Sequence, residues 1–397
     1  MSVQDLALQR SKYKHLSDEE WRWFLQQVEG RERTSDKLPA FAQIEEWWYP
    51  VRLSCEQCSS EWTAKYKAKI VERLTGRMVD LTGGYGVDTL FLSEGFAHTD
   101  YVEQNAELCR IMAHNKEIKN EKLKIKNISV HNCTAEEFLR SRKSKVESRK
   151  TEDEQKYSLI FMDPARRDSH GGKVFKLADC TPNVVEMLPT LLAHLASEGR
   201  IMLKLSPMID ISQALKELGG IMWDIHVVAV KNEVKEVLMI STQGQSTQIT
   251  AIDLAEPERA FVFTREEEQD AQPQMVQGTL PDSIWIYEPN AAILKAGAYK
   301  LAGARFGLQK LDGNTHLYVS EELMPDFPGR VWKVKERREL KQANVVVRNY
   351  PLTAEQLKKK LRLKDGGEDY IIGCRVNGKP TLFYAERAAD DQQTTST

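Results

Sequence analysis

Two short runs hold the residue types best suited to chemistry. The first is VDLTGGYGVD, residues 79–88, where an apolar run ends at Asp80-Leu81 and the chain turns through Gly83, Gly84 and Gly86. Glycines so spaced let the backbone bend tightly and let a ligand approach with no Cβ in the way. The second is DPARRDSHGGK, residues 163–173, which follows the apolar run YSLIFM. An acid and a proline at a strand end can accept the hydrogens of an amine or hydroxyl and so favour its attack on an electrophile.

The glycine turn admits two ligand classes. A pyrophosphate binder usually shows GxGxxG opening a helix. Here the run is GGYGVD, with Thr89 or a neighbour where the third glycine would fall. Asp80 also stands immediately before the turn, and a carboxylate repels two phosphates but attracts an ammonium and a sulfonium. That favours S-adenosyl-L-methionine as cofactor, with Asp80, Thr82, Gly83, Gly84, Gly86 and Asp88 as its candidate loop residues. Glu103-Gln104 ends the next strand-like run, and Glu103 lies 17 residues beyond Gly86. That is close to the ~20-residue spacing at which an acid reaches ribose hydroxyls, so it supports a nucleoside without choosing between the classes. Cys133 and Thr134 follow the third run, where adenine would sit, and the adenine contact stays unassigned there. Asp163 counts as a donor contact as well as a catalytic candidate.

Enzymes that methylate base amines commonly place Asp/Asn-Pro-Pro-aromatic at the end of the fourth strand. This chain has Asp163-Pro164, then Ala165 and Arg166, with no aromatic. Arg166 could stack on a base, and Arg166 and Arg167 could grip phosphate; the plainer alternative is pairing with acids such as Asp168. Lys204, at the end of the fifth run, either meets an anionic substrate group or pairs with Asp163. None of the six cysteines sits in a proline-flanked strand end, so nitrogen or oxygen methylation is favoured over a thiolate-adduct route.

The elements that must position these residues alternate between 77 and 241. RMVDL, DYVEQ, KNISVHN, YSLIFMD, GRIMLKL, IHVVAV and EVLMIS read as strands, with helices around VDTLFLSEG and AELCRIMAHNKEI. Strands separated by helices imply βαβ units on a mostly parallel sheet. The short turn at Lys231-Asn232-Glu233 implies a final antiparallel hairpin. The predicted class is α/β: a Rossmann-like seven-stranded methyltransferase domain, with an N-terminal helical region and small C-terminal α+β domains. The expected domains are 1–75, 76–245, 250–330 and 331–390. Within the first, Ser17 to Glu20 reads as a capping box, Gly30 as a helix C-cap, and Trp62, Tyr66 and Ile70 as one helical face. A single helix is expected over 290–307, a solvated loop over 141–156 and a disordered tail over 388–397.

Composition narrows the partners. Of 397 residues 41% are apolar, which supplies real cores, and the net charge of −2 gives no overall bias toward nucleic acid. Between Arg330 and Lys364, however, twelve Lys/Arg face three Glu, leaving −11 for the rest. Such asymmetry is a phosphate-binding footprint, with Lys333, Lys335, Arg337, Arg338, Lys358 and Lys359, joined by Arg167, as RNA contacts. The plainer alternative is a solvated helix face, with Leu357, Leu361 and Leu363 turned inward. No apolar run nears the ~20 residues of a membrane span. Scattered cysteines and an N-terminus without an apolar signal core point to a reducing cytoplasm. Cys55 and Cys58 form a lone CxxC lacking two further ligands, so no metal is expected.

Together EQCSSEWTAKYKAKI, DLTGGYGVDTLF, YVEQNAELCRIMAHN, MDPARRD, KLSPMIDI and NEVKEVLMIS resemble a bacterial family of class I S-adenosylmethionine-dependent methyltransferases with ferredoxin-like and C-terminal THUMP-like domains. The resemblance implies that 250–330 is the ferredoxin-like part, without an iron–sulfur cluster; no four-cysteine motif is present. THUMP domains are RNA-binding modules of tRNA-modifying enzymes, so the resemblance implies RNA, foremost tRNA, as substrate. Two other classes remain open: a small-molecule or protein methyltransferase, and a non-catalytic RNA-binding protein that retains the fold.

Overall fold

The short apolar runs between 77 and 242 do become strands, because each is too brief for a helix and is bounded by glycine or polar turns. They are β1 (Arg77–Asp80), β2 (His98–Val102), β3 (Ile128–His131), β4 (Tyr157–Met162), β5 (Leu195–Leu205), β6 (Met222–Val230) and β7 (Glu233–Thr242). The structure, a computed structural model, describes residues 3–118, 127–143, 156–166, 176–281 and 283–388. The chain divides into two units: Met1–Asp224 with Lys235–Gln245, and Ile225–Val234 with Ser246–Thr397.

In the first unit the strands lie in the order β3-β2-β1-β4-β5-β7, parallel except for β7. The chain moves outward from β1 through β2 to β3, then returns to the other side of β1 as β4. Open α/β sheets place their ligand crevice at the carboxyl ends of strands where the order reverses in this way. Asp80 is in register with Tyr101 on one side and Phe161 on the other. The turns after β1, β2 and β4 therefore share one edge.

The helices of this unit are α1 (Asp18–Thr34), α2 (Glu61–Ile70), α3 (Val87–Leu92), α4 (Ala106–Asn115), α5 (Ala135–Lys143) and α6 (Val184–Ala193). The Ser17–Glu20 capping box is present. Gly30 does not end α1, which runs four residues further. It is instead the point of closest approach to Tyr49, whose Cβ would lie 2.2 Å from any Cβ added there. The helix α2 forms, but its buried side is not the one that carries Trp62, Tyr66 and Ile70. Trp62 is 50% exposed, while Glu61, Ala64 and Lys67 point inward. Both charged residues find partners inside: Glu61 accepts from Ala40 N at 2.5 Å, and Lys67 pairs with Asp88 and Glu236.

The N-terminal segment is latched to α4. Asn115 accepts from Trp48 N at 2.9 Å and donates to Trp48 O at 3.0 Å, and the Trp48 ring stacks on His114 at 3.7 Å.

In the second unit a two-residue turn at Lys231 and Asn232, both with positive φ, follows β6. Asp253 accepts from both of their N–H groups. β8 (Gln248–Asp253) runs parallel to β6 and antiparallel to β9 (Phe261–Thr264). A separate eight-stranded sheet contains β10 (Trp285–Pro289), β11 (Gln309–Asp312), β12 (Thr315–Ser320), β13 (Gly329–Lys335), β14 (Asn344–Arg348), β15 (Asp369–Val376) and β16 (Lys379–Arg387). Its order is β11-β12-β10-β13-β16-β15-β14, with Gln274–Met275 beside β11. Ile286, Leu317, Trp332, Ile372 and Phe383 pack on one core. The single helix expected over 290–307 is two, Ala291–Ala296 and Leu301–Arg305. Gly297, at φ 86, takes the left-handed conformation that stops the first. Most of the polar 141–156 run, and the tail from 389, lie outside the described residues.

Asp100 on β2 is fully buried and anchors the far side of the first sheet. It accepts from Arg77, Arg142 and Tyr157, each at 2.9 Å, and lies 2.7 Å from His131. Burial works against its charge, but the His131 hydrogen bond and the Arg142 charge prevail and hold its pKa well below the usual carboxylate range. Asp100→Asn leaves two guanidinium groups without their counter-ion. It should cost about 3 kcal/mol at pH 7, read as a lower urea midpoint. A depressed carboxyl contributes stability above its unfolded pKa and loses it as pH falls, so the gap between wild type and variant should narrow below about pH 4.

Candidate active site

The site begins where β1 ends. Gly84 and Gly86 sit at φ 54 and 84, and Gly86 precedes the first turn of α3. The other demands on the loop are steric. A Cβ on Gly83 would lie 2.2 Å from the Tyr101 ring, and one on Gly86 2.0 Å from Met112 Cε. The Tyr101 hydroxyl, held under the loop, donates to Gly84 O at 2.6 Å. Gly84 alone of the three would meet nothing closer than ordinary contact, the nearest atom to an added Cβ being Thr82 O at 3.7 Å. A left-handed backbone with no Cβ leaves that stretch of main chain accessible from above.

Asp80 is buried at the base of this loop. It accepts from Thr82 N at 3.0 Å and from the Thr89 hydroxyl at 2.5 Å. Burial foremost pushes its pKa up to about 7, against these hydrogen bonds. The carboxylate thus holds the loop in shape from within.

Glu103 ends β2 half-buried, its carboxylate accepting from Gly84 N at 2.9 Å and Asn105 N at 2.8 Å. A carboxylate has about four lone-pair sites, so capacity remains for hydroxyl donors. Asn105 also caps α4. Gln104 is exposed, and the Asn132 amide donates to the carbonyls of both Glu103 and Gln104 at 3.0 Å. The turn after β3 is thereby tied to the turn after β2. Cys133 is half-buried, its thiol pKa raised by burial and by Glu137. Thr134 and Glu137 form a capping box at the start of α5.

Asp163 follows β4. Its N–H donates to the Thr82 hydroxyl at 2.6 Å, which joins the acid's backbone to the glycine loop. Its carboxylate is partly exposed and pairs with Lys204. Of the two alternatives for Lys204, the ion pair is the one formed. Behind it Lys204 lies 3.6 Å from Asp88, Asp88 lies 3.1 Å from Lys67, and Lys67 lies 2.5 Å from Glu236. Asp88 also accepts from Ser59 at 2.8 Å. Asp88 is thus buried beneath the loop in a row of alternating charges, and Lys67 and Glu236 are members that sequence reasoning missed. The available signal was a lysine at the inward register of an otherwise small-residue helix face. Burial works against the Lys204 charge, yet Asp163, Asp88 and Glu236 raise its pKa well above the ordinary lysine value. Pro164 is buried, and Ala165–Arg166 pairs antiparallel with Cys180–Thr181. Arg166 is described by its backbone, and Arg167 lies outside the described residues.

The basic segment lies in the second unit. Lys335 pairs with Glu386 at 2.6 Å, Arg338 with Asp369 at 2.5 Å, and Lys358 with Asp365 at 2.9 Å; Arg330 and Arg348 both pair with Glu288. Acids outside the 330–364 window therefore offset part of the excess counted within it. Lys333 lies over the Trp285 ring at 5.3 Å, while Arg337 and Lys359 are exposed. Leu357, Leu361 and Leu363 pack together inward.

Among the described residues no group of three His, Cys, Asp or Glu could hold a metal, and no helix is long and apolar enough to cross a membrane. Residues 285–328 match a ferredoxin-like domain family, and 318–387 a THUMP domain-like family. Two curated proteins of Mycobacterium tuberculosis, from strains CDC 1551 / Oshkosh and ATCC 25618 / H37Rv, are named uncharacterized S-adenosylmethionine-dependent methyltransferases. Each is 26% identical over 235 residues, covering 55% of this chain and 60% of its own length. The chain thus spans about three-fifths of the curated relatives it matches. A crystal structure described as a methyltransferase from Porphyromonas gingivalis W83 is 32% identical, with a TM-score of 0.81 over 94% of this chain and 92% of that one. With that likeness running nearly end to end and both C-terminal matches in place, the chain belongs to the family of S-adenosylmethionine-dependent methyltransferases that carry ferredoxin-like and THUMP-like domains.

Proposed function

We propose that the protein methylates a nitrogen or oxygen of a base in RNA, with tRNA as the leading substrate. The observation that carries this reading is the hydrogen bond from Asp163 N to Thr82, which sets an acid acceptor directly against the glycine loop. Gly84 provides the close backbone approach, Gly83 and Gly86 let the loop pack on Tyr101 and Met112, Glu103 accepts the ribose hydroxyls, and Gln104, Cys133 and Thr134 border the adenine side. Bound there, the donor supplies an electrophilic methyl on a positively charged sulfur. Asp163, with the Pro164 carbonyl, accepts the hydrogens of the target amine or hydroxyl and takes up the proton released on methylation. Arg166 and Arg167 steady the nucleotide.

The substrate assignment is supported by the THUMP-like match over 318–387 and the exposed Arg337 and Lys359. Lys333, Lys335, Arg338 and Lys358 are the further phosphate contacts of this reading, the last three exchanging their acid partners for phosphate. In this reading 1–75 is a helical region packed on the 76–245 methyltransferase domain, and 250–330 and 331–390 serve RNA binding. The cysteines are free among the described residues, which suits a reducing cytoplasm.

Tritium transfer from labelled donor to RNA of a gene-deletion strain tests the reading. Wild type should label RNA, and Asp163→Ala should bind donor yet lose about 10²–10⁴-fold in rate, the usual worth of acid–base catalysis. Donor binding without labelling of any RNA would remove the RNA assignment, and full activity in Asp163→Ala would remove the role of that acid.

The pH dependence of donor affinity follows from Asp80. A cation bound over the loop favours the ionised carboxyl, so below about pH 7 binding must expel a proton. Calorimetry should show affinity rising by up to about tenfold per unit between pH 5.5 and 7, then levelling. Asp80→Asn should abolish that rise.

A further inference from the structure

The row Asp163, Lys204, Asp88, Lys67, Glu236 spans from the candidate acceptor acid to a carboxylate on β7. Four of the five side chains are about nine-tenths buried or more, with Lys67 fully so. Burying so many charges carries a large desolvation cost that a well-packed apolar replacement avoids, so stability alone is a poor reason for the row. Its geometry suggests another. Asp88 stands between two lysines, 3.1 Å from Lys67 and 3.6 Å from Lys204. Lys204 in turn stands between two carboxylates, Asp88 and Asp163. Whichever cation satisfies Asp88 decides where Lys204 rests.

We propose that Lys67, delivered by α2 from the N-terminal region, is a positioning residue: its charge, 3.1 Å from Asp88, balances that carboxylate and leaves Lys204 to hold the Asp163 carboxylate. Glu236 fixes Lys67 from behind, and the Ser59 hydroxyl, which accepts from Lys67 at 3.2 Å and donates to Asp88, completes the setting. The role rests on Asp163 being the acceptor acid proposed above.

The test is the double variant Lys67→Met/Glu236→Gln, which removes one charge of each sign and so leaves the interior balanced. Its crystal structure should show Lys204 Nζ drawn from Asp163 to Asp88. Methyl transfer to deletion-strain RNA should lose about tenfold or more in kcat, with the KM for RNA and the donor Kd unchanged. Adding Asp88→Asn removes the competing carboxylate and should return Lys204 to Asp163 and recover transfer. A row that is merely structural gives the opposite pattern, with activity tracking the melting temperature and Lys204 staying on Asp163 in the double variant. Should the double variant not fold, Lys67→Arg keeps the charge and should leave Lys204 on Asp163 with wild-type kcat; a displaced Lys204 there overturns the proposal. The position of Lys204 is read without substrate. Absence of RNA methylation by wild type would thus overturn the proposed function while leaving this measurement decisive.

Discussion

A single hydroxyl joins the two halves of the site. Thr82 Oγ1 accepts from Asp163 N and reaches Asp80, so the turn after β1 and the turn after β4 are built as one piece. The two residues it joins are 81 apart in the chain, and in the proposed site a methyl transfer in line between them would tolerate little misplacement. Parallel pairing of β1 with β4 brings the two turns to the same edge, and the hydroxyl sets their final register. Backbone-to-side-chain bonds of this kind move less with pH than ion pairs, which suits a joint that must hold while the groups around it titrate.

Local features of this arrangement were legible in the sequence. The glycine turn, the strand runs and the Ser17 cap depend on residues within a few positions of one another, and each appears where its pattern falls. The place of Glu103 at a strand end was legible from its spacing, because the length of one helix fixes how far along the chain the next strand end must come. Gly30 and α2 were not, since each depends on a partner distant in sequence: Tyr49 for the glycine, Asp88 and Glu236 for Lys67. The four-residue spacing of Trp62, Tyr66 and Ile70 marks a helix, but the buried ion pairs of Lys67 decide which side of α2 turns inward. Lys204 stood between two readings for the same reason, as spacing along one strand says nothing about what lies across from it.

The basic segment teaches a related point about charge counting. A window drawn along the chain misses acids contributed by neighbouring strands, and Glu288 alone engages two of its arginines. Charge along a sequence and charge on a surface are different quantities. Ligands respond to the second.

The eight-stranded sheet has a mechanical implication. β10 lies within the ferredoxin-like match and β13 within the THUMP-like one, and the two are hydrogen-bonded neighbours over five residue pairs. A linker between modules allows them to swivel, whereas a shared ladder does not. The two modules therefore form one stiff plate, and a nucleic acid that engages either must be carried by both.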